Sequence, residues 1–254
     1  MRVINISTVS LLGLVVLVGC QSRQLTDPNA VGEIEQNPTQ MKRNMLDLRQ
    51  NLERRAAKRE ISPSDVISRV QQATKQLLEN VSDSDITPDN AWEYGDLYRD
   101  AGDWKKAADL FDIARKAART EDRKVNDNLR YARAIAHLGD VKGAIEAARS
   151  VFDAPPEEKA PILPAVLLEI VPEGKGKGQD VELAKLLEDA IAQHNLVKIN
   201  PDSDAGKGFM AAKPFHVKNA WSEVIRLYSE AGKTSEARDA IGRMDQMLGR
   251  FRSL

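Results

Sequence analysis

Cysteine and histidine, two residue types that often act as nucleophiles, bases or metal ligands, are scarce in this 254-residue chain and are scattered along it. Cys20 is the single cysteine, so the chain beyond it offers neither a disulfide nor a thiol nucleophile. The histidines His137, His194 and His216 are far apart in sequence and lack the short spacing of zinc ligands. No nucleophile-elbow motif accompanies them. The sequence therefore predicts no catalytic residues, no metal and no cofactor.

Two glycine-containing segments are similar to ligand-binding loops only in part. Residues 174–178 read Gly-Lys-Gly-Lys-Gly, but they lack the spacing of a phosphate-binding loop, and no strand is expected before them. Residues 202–208 begin like a calcium loop, but Lys207 stands where that loop needs glycine and Lys213 where it needs glutamate. We expect a turn at 174–178 and a long linker over 200–213. An enzyme with an unrecognised site in one of these loops remains an alternative.

The N-terminus has the layout of a secretory signal. Arg2 supplies a positive charge, and residues 11–18 form an apolar run too short to cross a bilayer as a helix. The run ends in Leu17-Val18-Gly19-Cys20, which resembles the bacterial lipobox, whose cysteine thiol accepts diacylglycerol. The sequence predicts a signal peptide over residues 1–19 and a mature chain anchored in the membrane by acyl chains, palmitate among them, on Cys20.

The residues after Cys20 suggest where the anchored protein is sorted. Gln21 replaces the aspartate of an inner-membrane retention signal, so the resemblance implies the outer membrane of the cell envelope, facing the periplasm. Residues 20–40 contain prolines, a glycine and little apolar periodicity, which is typical of a flexible tether.

The composition is that of a helical protein. Charged residues make up 30% and aromatic residues 5%, and the formal net charge is −1. Lysine and arginine are interspersed with aspartate and glutamate, so no basic face for nucleic acid is expected.

Three segments share one pattern of small and apolar residues at identical spacing. Each has an apolar stripe at i, i+3, i+4 and i+7, a glycine at i+11 and a second stripe that starts at i+16. The positions are Ala91, Tyr94, Gly95, Tyr98, Gly102, Ala107, Leu110, Phe111 and Ala114; Asn128, Tyr131, Ala132, Ile135, Gly139, Ala144, Ala147, Ala148 and Val151; and Trp221, Val224, Ile225, Tyr228, Gly232, Ala237, Ala240, Ile241 and Met244. Each segment predicts two antiparallel helices joined by a turn whose glycine is left-handed.

This pattern resembles the tetratricopeptide repeat, a stacking helix–turn–helix unit of about 34 residues. The resemblance implies an all-α fold, a right-handed superhelical stack of antiparallel helical hairpins behind the signal and the tether. Residues 41–84 are predicted to form an N-terminal hairpin that caps this stack. The repeat domain covers residues 85–254, with units at about 88–121, 125–158, 161–195 and 216–250.

In tetratricopeptide repeats the first helix of each unit lines an inner groove that holds a protein partner. The resemblance nominates Trp92, Asp96, Arg99, Arg133, His137 and Arg226 as candidate partner-binding residues. The alternative for each is a solvated helix face, and for Trp92 it is packing against a neighbouring helix. The set of lysine and asparagine residues that clamps a peptide's terminal carboxylate is not matched, so that ligand is not expected.

The sequence as a whole predicts a membrane-anchored, non-catalytic scaffold that binds protein partners through its groove. A peptidoglycan-binding module is the main alternative, with Trp92, Tyr94 and Tyr98 as the possible stacking groups. The two tyrosines lie in the apolar stripe and are therefore also expected in the core.

Overall fold

The computed structural model describes residues 37–251, and this part of the chain is all-α. Its helices are α1 (Pro38–Ala57), α2 (Pro63–Leu78), α3 (Ala91–Asp100), α4 (Trp104–Ala117), α5 (Glu121–His137), α6 (Val141–Arg149), α7 (Ile162–Ala165), α8 (Val171–Gly174), α9 (Asp180–Asn195), α10 (Asp204–Glu230) and α11 (Thr234–Phe251). A π-helical segment, Val166–Ile170, joins α7 to α8, so residues 162–174 form one helical stretch. No strand occurs within residues 37–251, and none of their helices is long and apolar enough to cross a bilayer.

Several predictions for the N-terminus fall outside this range. The signal peptide over residues 1–19, the lipidated Cys20 and the tether as far as residue 36 all lie outside the described residues.

The predicted glycine turns reverse the chain between paired helices. Gly102 has φ of 84°, and its N–H donates to the carbonyl of Arg99 while Asp103 N–H donates to the carbonyl of Tyr98. This pattern satisfies the last carbonyls of α3. The Asp103 carboxylate then accepts the Lys106 N–H at 3.0 Å and caps α4. A Gly-Asp pair therefore ends one helix and begins the next.

The same turn recurs along the chain. Gly139 and Asp140 repeat it between α5 and α6, and the Asp140 carboxylate accepts the Gly143 N–H at 2.9 Å. Gly232 ends α10 with φ of 71°, but Lys233 follows it, so no carboxylate caps α11 there. The predicted left-handed glycines are confirmed at all three turns.

The helices of one hairpin approach closely at Gly95. A Cβ atom built on Gly95 would lie 2.5 Å from Cε1 of Phe111, whose side chain is fully buried. Glycine at this position therefore allows α3 and α4 to come together over the Phe111 ring. The small residue that the repeat pattern requires is explained by this contact.

Two apolar cores meet at α4. One core joins α1, α2 and α3, and the other extends from α4 to α11. Leu110 and Ala114 of α4 belong to the first core, whereas Ala107 and Phe111 belong to the second. Because these two pairs alternate along α4, one face of the helix packs in the first core and another face packs in the second.

The helix boundaries differ from the sequence-based expectation at two places. α1 begins at Pro38, inside the predicted tether, because the Asn37 side chain accepts the Thr39 N–H at 3.0 Å and caps it. α10 begins at Asp204, so most of the predicted 200–213 linker is helical. The glycines and Pro214 of this segment favoured an irregular structure in the sequence-based prediction. In the structure, the Ser203 side chain accepts the Gly206 N–H and caps the helix.

The Gly95 contact predicts the effect of a single methyl group. Gly95→Ala should lower the free energy of unfolding by about 1–3 kcal/mol, because the buried Phe111 ring has to move. Urea denaturation followed by circular dichroism measures this change.

Gly242→Ala is the matched control, because Gly242 is an exposed residue of α11 and a Cβ there meets no atom within 4 Å. It should be neutral or stabilise by about 0.5–1 kcal/mol. Equal unfolding midpoints for Gly95→Ala and the unmodified chain would contradict the close helix contact.

Candidate functional site

Side chains from four elements line two cavities that share one wall. The inner cavity, about 300 Å³, is lined by Asp96, Arg99, Asn126, Leu129, Arg130, Pro161, Pro164, Ala165 and Glu169. The distal cavity, about 390 Å³, is lined by Leu167, Leu168, Pro172, Asn219, Ser222, Glu223 and Arg226. The helical stretch 162–174 contributes to both, so we call their combined surface the groove.

The candidate residues from the sequence are distributed unevenly over this surface. Asp96 and Arg99 line the inner cavity, and Arg226 lines the distal cavity. Arg133 lines a third cavity beside the groove, whereas Trp92 lines none of these three. The part of these residues in partner binding stays a prediction.

Trp92 is surrounded by cations from neighbouring helices. Lys42 Nζ lies 3.8 Å from the centroid of the ring, and the guanidinium carbons of Arg130 and Arg123 lie 4.7 and 5.1 Å from it. The indole also packs against the core of α1–α3. Contacts of this kind stabilise the packing of helices. The structure therefore places Trp92 in helix packing, the alternative to its role as a peptide anchor.

Asp96 connects three helices at the floor of the inner cavity. Its carboxylate is 2.7 Å from Lys42 Nζ on α1, 2.8 Å from Arg99 Nη1 on α3 and 3.6 Å from Arg130 Nε on α5. Burial alone would raise the pKa of Asp96, but the three cations outweigh it and hold this pKa below its ordinary value. Asp96 is thus a buried, negatively charged residue whose ion pairs join α3 to α1 and α5.

A second set of contacts joins α5 to the helical stretch 162–174. Arg133 Nη1 lies 3.4 Å from Glu169 Oε2, and His137 Nδ1 lies 2.7 Å from Glu173 Oε2. The His137 ring also stacks on Trp104, with centroids 3.9 Å apart. Neither the two glutamates nor Trp104 was predicted from the sequence. The spacing was a partial signal, since Arg133 and His137 are four residues apart and Glu169 and Glu173 are too, but it does not show that the two helices pack against each other.

The two lysines of the segment 174–178 form contacts with neighbouring helices. Lys177 Nζ donates to the carbonyls of Ala136 and His137 at 2.8 and 2.9 Å, at the carboxyl end of α5. A cation is favourable there because the helix dipole is negative at that end. Lys175 Nζ lies 2.9 Å from Glu230 Oε2 on α10. Both lysines therefore have structural partners.

The structure brings together two histidines that are distant in sequence. The rings of His194 and His216 are 6.0 Å apart, and Phe209 packs against His194 at 4.8 Å. His194 is fully buried, and neither ring nitrogen has a hydrogen-bond partner. Burial, with smaller effects of Lys213 and His216, lowers the pKa of His194 to about 4. Within residues 37–251, no three histidine, cysteine, aspartate or glutamate residues are placed to bind a metal.

Comparisons of the chain with protein-family models, with curated proteins and with solved structures gave no match.

The cation cluster around Asp96 predicts that this carboxylate stabilises the fold. Asp96→Asn should lower the free energy of unfolding by about 3 kcal/mol at pH 7, because three cations lose their shared counter-charge. Since the pKa of Asp96 is lowered, its contribution is present at neutral pH and is lost as pH falls through that pKa. Urea denaturation over a pH series measures both effects.

Asp109→Asn is the control, because Asp109 is an exposed aspartate on α4 without an ion pair among the described residues. It should change stability by less than about 0.5 kcal/mol. If the two variants unfold alike, Asp96 does not hold the three helices together.

Proposed function

We propose that this chain is a non-catalytic scaffold of the bacterial cell envelope, anchored by lipid on Cys20 and binding client proteins through the groove. One observation carries the binding role. Leu168 is 56% exposed, although it lines the distal cavity together with Pro172 and Arg226. An exposed leucine inside a cavity that two elements form is suited to an apolar side chain of a partner.

We also propose that the hairpins stack as a right-handed superhelix of the tetratricopeptide type. Support comes from the order of contacts, since α3 packs against α4, α4 against α5 and α5 against α6, and further along the chain α9 packs against α10 and α10 against α11. A left-handed glycine also recurs at the turns of the α3–α4, α5–α6 and α10–α11 hairpins. Stacked hairpins of this kind present an extended surface to a partner.

The anchoring half of the proposal rests on the sequence. The lipobox-like Leu17-Val18-Gly19-Cys20 places the only cysteine where diacylglycerol would be attached, and Gln21 favours the outer membrane, facing the periplasm. A lipid anchor would hold the groove near the membrane surface, where a client could be retained.

Peptidoglycan binding has less support, because the three aromatic residues considered for stacking are engaged. Tyr94 is 1% exposed, Trp92 contacts cations, and Lys106 Nζ lies 5.9 Å from the centroid of Tyr98. A sugar ring needs a free aromatic face, so protein clients are favoured.

Replacement of the cysteine tests the anchor. Cys20→Ser should abolish incorporation of radiolabelled palmitate and move the protein out of the membrane fraction, because the hydroxyl does not accept the lipid. Gln21→Ala is the control, since it leaves the thiol in place and should stay labelled. Palmitate labelling that persists in Cys20→Ser would contradict lipidation at this residue.

Photo-crosslinking in intact cells tests the groove. A photoreactive residue in place of Ser222, in the distal cavity, should capture a client protein. Arg226→Glu should reduce this product about tenfold, because it places a second carboxylate beside Glu223 in the same cavity.

Arg149→Glu is the matched control, because Arg149 is also an exposed arginine with a carboxylate partner, Asp189, but lies on α6 away from the groove. The product should persist in this variant. A client captured equally well by the Arg226→Glu chain, or no product from position 222, would overturn groove binding.

A further inference from the structure

A third cavity lies between the N-terminal hairpin and the helices that line the groove. This junction cavity, about 430 Å³, is lined by Arg49, Glu53, Val66, Ile67, Val70, Gln71, Arg99, Asp100, Trp104 and Arg133. Arg99 also lines the inner cavity, so the two cavities adjoin. The junction cavity thus extends the groove toward α2.

Part of the lining of the junction cavity is apolar, and most of these apolar side chains are packed against other residues. Val66 and Val70 are buried in the core of α1–α3, whereas Ile67 between them is 64% exposed. Trp104 forms another part of the wall and is fixed by its stacking on His137. This wall can contact an aliphatic side chain with little loss of its own conformational freedom.

The rest of the lining of the junction cavity carries more arginines than carboxylates. Asp100 pairs with both Arg49 and Arg99, at 3.3 and 3.1 Å. Glu53 forms no ion pair with any of the three arginines, within the part of the chain that the structure describes. The lining thus has three arginines and two carboxylates, and the further partners of Arg99 and Arg133, which are Asp96 and Glu169, lie outside it.

Within the described residues, Arg133 has one ion-pair partner and a buried guanidinium nitrogen without an acceptor. Its only carboxylate partner among residues 37–251 is Glu169 at 3.4 Å, which lies outside the junction cavity. Its Nε atom is buried without an acceptor, and its guanidinium lies over Trp104, 5.6 Å from the centroid of that residue. Arg133 is therefore a cation next to an apolar wall, a combination that suits a carboxylate carried close to aliphatic groups.

We propose that the junction cavity binds an acidic side chain flanked by aliphatic residues, on an internal segment of the client protein. The carboxylate would pair with Arg133, and the aliphatic neighbours would contact Ile67 and Trp104. An internal segment fits because a chain bound here continues into the inner cavity past Arg99. This inference rests on the proposed function of the groove and defines the client chemistry at one end of it.

Peptide binding to the full chain in mild detergent tests the proposal. The probes are fluorescein-labelled, amidated heptapeptides with the central sequences Leu-Glu-Leu, Leu-Gln-Leu and Ala-Glu-Ala, compared by fluorescence anisotropy. The Leu-Glu-Leu peptide should bind about tenfold more tightly than either of the others, because only it has both the charge and the aliphatic groups.

Two pairs of variants locate the binding. Arg133→Gln should remove the preference for glutamate, whereas Arg115→Gln should keep it. Arg115 is a close match, since it is 30% exposed against 27% for Arg133, pairs with Asp112 and lies over the ring of Tyr131. Ile67→Ser should weaken binding about fivefold, and Ile113→Ser, at another exposed isoleucine, should not. Ile67 is exposed, so its replacement tests the cavity even if Arg133→Gln disturbs folding.

The outcomes separate this proposal from that of the groove. Equal binding of the glutamate and glutamine peptides, a preference that survives Arg133→Gln, or no binding of any peptide at millimolar concentration would each overturn the junction site. A client still crosslinked from position 222 would then leave groove binding intact. Failure of both experiments would remove both proposals.

Discussion

Asp96 is buried in the wall of the groove, and the cost of desolvating its charge is offset only by nearby cations. Lys42, Arg99 and Arg130 supply them from α1, α3 and α5. Arg99 is on the same helix as Asp96, whereas Lys42 and Arg130 reach it from other helices, so these two pairs restrict how α1 and α5 lie against α3. Arg130 continues the network to the fully buried Asp127, 2.9 Å away. The arrangement of the residues at the floor of the inner cavity therefore follows from the ion pairs that stabilise this buried charge.

This constraint limits what the groove can contribute to binding. Most of its charged groups already have partners in the chain, so a client would have to replace an internal ion pair before forming one of its own. Arg226 is paired with Glu223 in this way. Apolar groups such as Leu168 and Ile67 have no such competition, since they are 56% and 64% exposed. Affinity is therefore expected from apolar contacts, and Arg133 adds selectivity.

The sequence could predict features that depend on local spacing. The stripe with Tyr94 is buried and Gly102 is left-handed, because both follow from the period of a helix and the geometry of its end. Contacts between helices could not be predicted in the same way. Glu169 is paired with Arg133 only because the two helices pack side by side in a particular register. The early start of α10 was also missed, because Pro214 is tolerated inside a helix that packing supports.

The junction cavity lies where the two apolar cores meet at helix α4. Leu110 of α4 belongs to the α1–α3 core and Phe111 to the core that extends to α11. The cavity is lined from both sides of this division, by Ile67 on α2 and by Arg133 on α5. A segment bound there would contact elements of both cores at once and favour their packed arrangement. Arg133 also pairs with Glu169, which lines the inner cavity of the groove. A carboxylate bound to Arg133 in the junction cavity would therefore alter an ion pair of the groove, where the client continues.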